Sequence, residues 1–174
     1  MLGSLRWGRK LKGLHMPDII PLGWFHTAVA IIALIAGYYS IAKYKVISLD
    51  ETTGKIYVTA TFLTAVTALM IFQHDGPGVA HGLAVLTLGG LLVGTVAAKT
   101  KLFGDLSKYI QALGYTVTLL FHMIPAITDA LLRLPVGDPV LTSIEDPILK
   151  GFYLAFLVAF LVTITLQMRW LKKQ

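Results

Sequence analysis

Five long apolar runs separated by short polar segments set the pattern of this chain, at about 22–41, 56–73, 79–98, 108–134 and 149–168. A helix needs about 20 mainly apolar residues to cross a bilayer core. Runs of this length predict an all-α integral membrane protein, a bundle of five transmembrane helices. The run 108–134 differs from the others. It carries Gln111, Tyr115, Thr118, His122, Asp129 and Arg133 at steps of 4, 3, 4, 7 and 4. That spacing puts all six on one helix face. A polar stripe on a membrane helix turns toward partner helices or a wet cavity, because unpaired polar groups are costly in hydrocarbon.

The other spans carry weaker marks. Trp24 at one end of the first span and Tyr38, Tyr39 and Tyr44 at the other form interface belts. Pro17 and Pro21 suit its first turn. The second span is rich in threonine, with Thr59, Thr61, Thr64 and Thr67. Threonine in a membrane helix can bond its own backbone, so part of this pattern needs no function. Gly76-Pro77-Gly78 breaks the chain between spans two and three, which predicts an antiparallel hairpin. Gly90 and Gly94 in span three form a small-xxx-small pair that admits a close neighbour. Pro125 in span four frees the carbonyl of residue 121.

Composition sharpens this reading. Of 174 residues, 56% are hydrophobic and 14% charged, with a mean hydropathy of +0.73. Soluble domains carry about 25% charged residues. Cysteine is absent, which excludes disulfides, thiolate metal sites and cysteine nucleophiles. No serine sits in a nucleophile elbow and no Gly-rich phosphate loop is present, so neither a hydrolase nor a nucleotide enzyme is indicated. The net charge of +6 does not point to nucleic acid, because the basic residues lie between and after apolar runs, where topology signals lie.

Residues 1–15 form a basic interfacial leader with four Lys/Arg, or an extension upstream of a natural start at Met16 instead of Met1. Residues 16–174 form one transmembrane domain. Five spans put the two termini on opposite sides. The loops after spans one and three and the C-terminal tail then share nine positives: Lys43, Lys45, Lys55, Lys99, Lys101, Lys108, Arg169, Lys172 and Lys173. The positive-inside rule places these in the cytoplasm. The expected location is a bacterial inner membrane, N-out and C-in, and a start at Met16 would remove the leader's opposing charge.

The histidines supply the sharpest expectation. His26 lies about one turn into span one, and His74 and His81 flank the outer turn. His122 lies roughly 20 Å along span four at 1.5 Å per residue. Four of the five histidines therefore fall in the outer half of the membrane. Simple readings exist for several of them. His74, Asp75 and His81 suit a solvated turn, and Asp129 and Arg133 suit an ion pair four residues apart. His26 and His122 sit in apolar surroundings, where an ionisable group is either a structural histidine bonded to a neighbouring Thr or carbonyl or the mark of a functional site.

Residues 22–134 also show a pattern of His26 opening the first span, Gly37 near its end, and Gly54 with Tyr57 opening the second. This resembles an uncharacterised bacterial family of small predicted helical membrane proteins. Where that family carries a His-Arg pair before the glycine, this chain has Glu51-Thr52. The resemblance implies a membrane bundle and no particular chemistry.

Three functions follow as expectations. The first is a redox or electron-transfer protein holding b-type haem. His26 and His122 would be its axial pair, His81 the alternate ligand, and Tyr115 and Thr118 would bond propionates or a quinone. Glycine and threonine on spans two and three would leave room for the macrocycle. Its variant is a metal site of His26, His81, His122 and Asp129. The second is a non-catalytic accessory or assembly subunit in a larger membrane complex or homo-oligomer. The third is a small proton-coupled transporter using His122 and Asp129, against which the lack of an inverted repeat argues.

Overall fold

A computed structural model of the chain describes residues 21–71, 78–100 and 102–174. The basic leader with Pro17, the turn carrying His74 and Asp75, and Lys101 lie outside them. Among the described residues all regular structure is helical: α1 (Pro21–Tyr44), α2 (Thr52–Met70), α3 (Val79–Lys99), α4 (Ser107–Arg133) and α5 (Pro147–Leu171). The five apolar runs thus become five helices, each reaching a few residues beyond its run or short of it. α2 starts at Thr52 rather than Ile56. The polar segment before α2 folds back so tightly that a Cβ on Gly54 would overlap the Ser48 carbonyl. α4 follows a short 3₁₀ turn, Gly104–Leu106, in which Gly104 has φ +53°. α5 opens on Pro147, and the Asp146 carboxylate accepts from the Ile148 N–H at 2.8 Å. This is a proline and cap arrangement favoured at helix starts.

Four helices are long and apolar enough to cross a membrane: α1, α3, α4 with its leading turn, and α5. α2 is not among these candidates, so the expected count of five spans exceeds what length and hydropathy support by one. The reason lies in its surroundings. α2 packs between α1 and α3, and its Thr61, Thr64 and Thr67 are buried there. Thr64 and Thr67 donate to carbonyls of their own helix at 2.8–3.0 Å. A helix shielded on two sides can carry hydroxyls that a lipid-facing one cannot.

α4 is the most amphipathic of the helices and the centre of the bundle, touching α3, α5 and α1. The part of its polar stripe from Gln111 to Thr118 faces neighbouring segments of the bundle. Gln111 Nε2 donates to the Ile47 carbonyl at 3.1 Å. Tyr115 Oη lies 3.0 Å from Thr95 Oγ1 on α3. Thr118 Oγ1 lies 2.5 Å from Tyr57 Oη on α2. Thr116, beside the stripe, donates to Gln167 Oε1 on α5 at 2.9 Å, and Gln167 Nε2 donates to the Lys45 carbonyl at 2.9 Å.

The core joins two tyrosines to small residues: Tyr57 and Tyr115 with Ala33, Ala36, Ala60, Ile47, Leu91 and Leu119. The helices approach where glycines permit. An added Cβ on Gly114 would lie 2.9 Å from the Gly90 carbonyl oxygen and 2.9 Å from the Gly94 nitrogen. The α3–α4 crossing therefore brings backbone against backbone, the contact that Gly90 and Gly94 predict once Gly114 completes it.

Candidate functional site

His26 on α1 and His122 on α4 both lie in the half of the bundle where α1 begins. His26 lies in the second turn of α1, half-buried, with Nδ1 2.9 Å from Thr67 Oγ1 near the end of α2. Thr67 Oγ1 also lies 2.9 Å from the Leu63 carbonyl and 3.0 Å from that of Thr64. Its one hydrogen goes to a carbonyl, which leaves a lone pair for a His26 Nδ1–H. His122 is buried at 7% exposure. Its Nδ1 lies 3.1 Å from the Thr118 carbonyl one turn back. A carbonyl only accepts, so Nδ1 carries the hydrogen and Nε2 is the bare lone pair. That Nε2 is buried and has no hydrogen-bond partner. The two imidazoles lie within electrostatic range of each other, and Asp129 lies within range of His26.

The other sequence-predicted residues have different roles. His81 Nδ1 accepts from the Gly78 N–H at 3.2 Å and so caps α3. Asp129 pairs with Arg133 at 3.3 Å on an exposed surface, as their spacing predicts. Tyr115 and Thr118 spend their hydroxyls on Thr95 and Tyr57. Among the described residues no three histidine, aspartate or glutamate side chains gather closely enough to hold a metal ion. The set His26, His81, His122 and Asp129 is therefore not assembled into one centre.

The space beside three glycines is taken by side chains of neighbouring helices. A Cβ on Gly94 would lie 2.7 Å from the Tyr115 ring, one on Gly90 would lie 2.8 Å from Thr118, and one on Gly37 would lie 2.8 Å from Tyr57. These glycines seat tyrosine rings and neighbouring helices; they do not leave a slot.

Several buried polar residues were not on the candidate stripe. Gln167 is the largest of them, a lone amide in an otherwise apolar span, and that isolation was its only signal. Ser40, which donates to Thr53 Oγ1 at 2.8 Å, and Thr128, 2.7 Å from Tyr153 Oη, had no signal beyond residue type.

No family model matches the chain, and no curated protein or solved structure is similar to it.

Proposed function

We propose that this is an integral membrane protein of five spans that serves as a non-catalytic accessory or assembly subunit of a larger membrane complex. Its closed interior carries this reading. Gln111, Tyr115 and Thr118 of the α4 stripe, which could have lined a cavity, are spent on hydrogen bonds to neighbouring segments. The outward faces are apolar, with Leu154, Leu157, Leu161 and Leu166 exposed on α5 and Val85, Leu86 and Leu92 on α3. α2 packs along α1 and α3, so a membrane crossed by those two is crossed by α2 as well.

Charge supports a C-in orientation. Lys43, Lys45, Lys55, Lys99, Lys108, Arg169, Lys172 and Lys173 lie at one end of the bundle. The opposite end has Arg133 and Lys150, each paired with an acid at 3.3 and 2.6 Å. The lysine-rich end belongs in the cytoplasm of a bacterial inner membrane.

A second reading rests on His122 Nε2, a buried acceptor without a partner, with the His26 imidazole within electrostatic range. Two imidazoles from separate helices suit a single transition-metal ion or the axial positions of a haem. The full chain, purified in mild detergent, tests both readings by metal analysis, by its absorption spectrum before and after dithionite, and by its native size. A colourless, metal-free protein that co-purifies with a larger assembly is expected. Stoichiometric metal or a Soret band, lost in His122→Ala while the protein still inserts, would replace the first reading with the second.

A further inference from the structure

Four helix ends meet around a groove of about 600 Å³ at the lysine-rich end of the bundle, where α1 and α5 finish and α2 and α4 begin. Lys43, Lys45 and Lys108 line it, and so do Asp50, Glu51 and Trp170. The three ammonium groups are held from behind. Lys43 Nζ sits 5.0 Å from the centre of the Tyr44 ring and 5.5 Å from that of Tyr39. Lys45 Nζ donates to the Ala42 carbonyl at 3.1 Å, and Lys108 Nζ donates to the Leu171 carbonyl at 2.8 Å. An ammonium has three N–H donors, so each keeps donors for something else. Asp50 Oδ2 accepts from Ser48 at 2.9 Å, and the Glu51 side chain does not cap α2. The ion pairs among the described residues are Asp129–Arg133 and Glu145–Lys150, so these three cations and two carboxylates share one cavity without pairing.

Both signs of charge, unpaired and facing one space, suit a ligand that carries both. The position adds the rest. Tyr39, Tyr44, Tyr109 and Trp170 gather at this end, the belt that marks a headgroup level. We propose that the groove binds the headgroup of a phospholipid bearing a primary amine. The lysines would take its phosphate, Asp50 and Glu51 would take its ammonium, and Trp170 would lie along its glycerol. The proposal rests on the membrane reading above. A quaternary amine has no N–H for the two carboxylates, so the groove discriminates between amine headgroups.

The test uses the full chain in detergent and native mass spectrometry with added phosphatidylethanolamine or phosphatidylcholine. Phosphatidylethanolamine should be retained about tenfold more tightly, the worth of one charge-assisted hydrogen bond. Asp50→Asn combined with Glu51→Gln should remove that preference. Lys43→Gln combined with Lys45→Gln should weaken both lipids. Gel filtration confirms that each variant is folded. Equal retention of the two lipids, or a preference that survives loss of the carboxylates, overturns the proposal. Displacement by an equal concentration of soluble glycerophosphoethanolamine assigns the groove to a free phosphate ester and overturns the lipid assignment. Extraction of the chain from membranes by alkaline carbonate, measured before any lipid is added, would instead sink the membrane reading.

Discussion

Tyr57 on α2 reaches across the bundle to Thr118 on α4, with 2.5 Å between their hydroxyl oxygens and 3.1 Å from Tyr57 Oη to the Tyr115 carbonyl. Both side chains are fully buried. The bridge joins two helices that are distant in sequence and leaves neither hydroxyl facing hydrocarbon. Its ring also occupies the gap at Gly37, so one residue supplies both packing and polar satisfaction.

Those two contributions separate by substitution. Tyr57→Phe keeps the ring and loses the bridge, and should destabilise the bundle by about 1 kcal/mol, the usual scale for a hydrogen bond between membrane helices. Tyr57→Ala removes the ring as well and should cost about 3–5 kcal/mol. Unfolding in mixed micelles measures both. Equal losses would assign the whole role to the hydroxyl.

The α3–α4 crossing predicts a position-dependent response to added methyl groups. Gly94→Ala drives a Cβ to 2.7 Å from the Tyr115 ring, and Gly114→Ala drives one to 2.9 Å from the backbone of α3. Gly82, on the same helix as Gly94, has open space around its missing Cβ. The first two variants should melt lower than wild type by about 1–3 kcal/mol, and Gly82→Ala should not. Thermal denaturation in one detergent compares all three.

His122 separates structure from site. Its Nε2 is buried and unpartnered, and a lone acceptor of that kind carries a desolvation cost that an apolar group relieves. His122→Leu should therefore lie within about 1 kcal/mol of wild type or above it. A clear loss of stability that returns on adding a transition-metal salt to the wild type alone would show that the imidazole holds an ion.

The absence of cysteine makes orientation directly measurable. Asp105→Cys, between α3 and α4, and Asp138→Cys, between α4 and α5, place single thiols at opposite ends of the bundle. With intact cells, an impermeant maleimide should label Asp138→Cys and spare Asp105→Cys. The reverse pattern would invert the proposed topology.

Glu145 gives a pH signature at the end opposite the lysines. Its carboxylate accepts from Lys150 Nζ at 2.6 Å. That hydrogen bond, and then the lysine charge, hold its pKa below the ordinary value of 4.5. A carboxyl depressed on folding adds stability above its unfolded pKa and loses it as pH falls through the folded value. Lys150→Gln should return the Glu145 titration to the ordinary carboxylate range, read by NMR of the carboxyl carbon. The pair is exposed, so the effect on overall stability should be small.

The helices themselves were legible from local information. Apolar run length marked five helices, and the step pattern 4, 3, 4, 7, 4 singled out α4 as amphipathic. Spacing predicted the Asp129–Arg133 pair, and Gly90 with Gly94 predicted a close crossing, because both signals depend only on helical periodicity. What the α4 stripe faces depends on other segments. Tyr57, Thr95 and Ile47 reach it from three places far apart in sequence. An empty slot beside a glycine and a slot filled by a tyrosine read identically along a chain, and only the fold seats Tyr115 against Gly94. Depth along the spans places His26 and His122 in the same half of the bundle, but it does not give their bonding. Thr67 and the Thr118 carbonyl decide which ring nitrogen carries hydrogen, and packing leaves His122 Nε2 without a partner. Periodicity is a property of each helix alone, whereas a cavity, a tautomer and a partner belong to the contacts between helices.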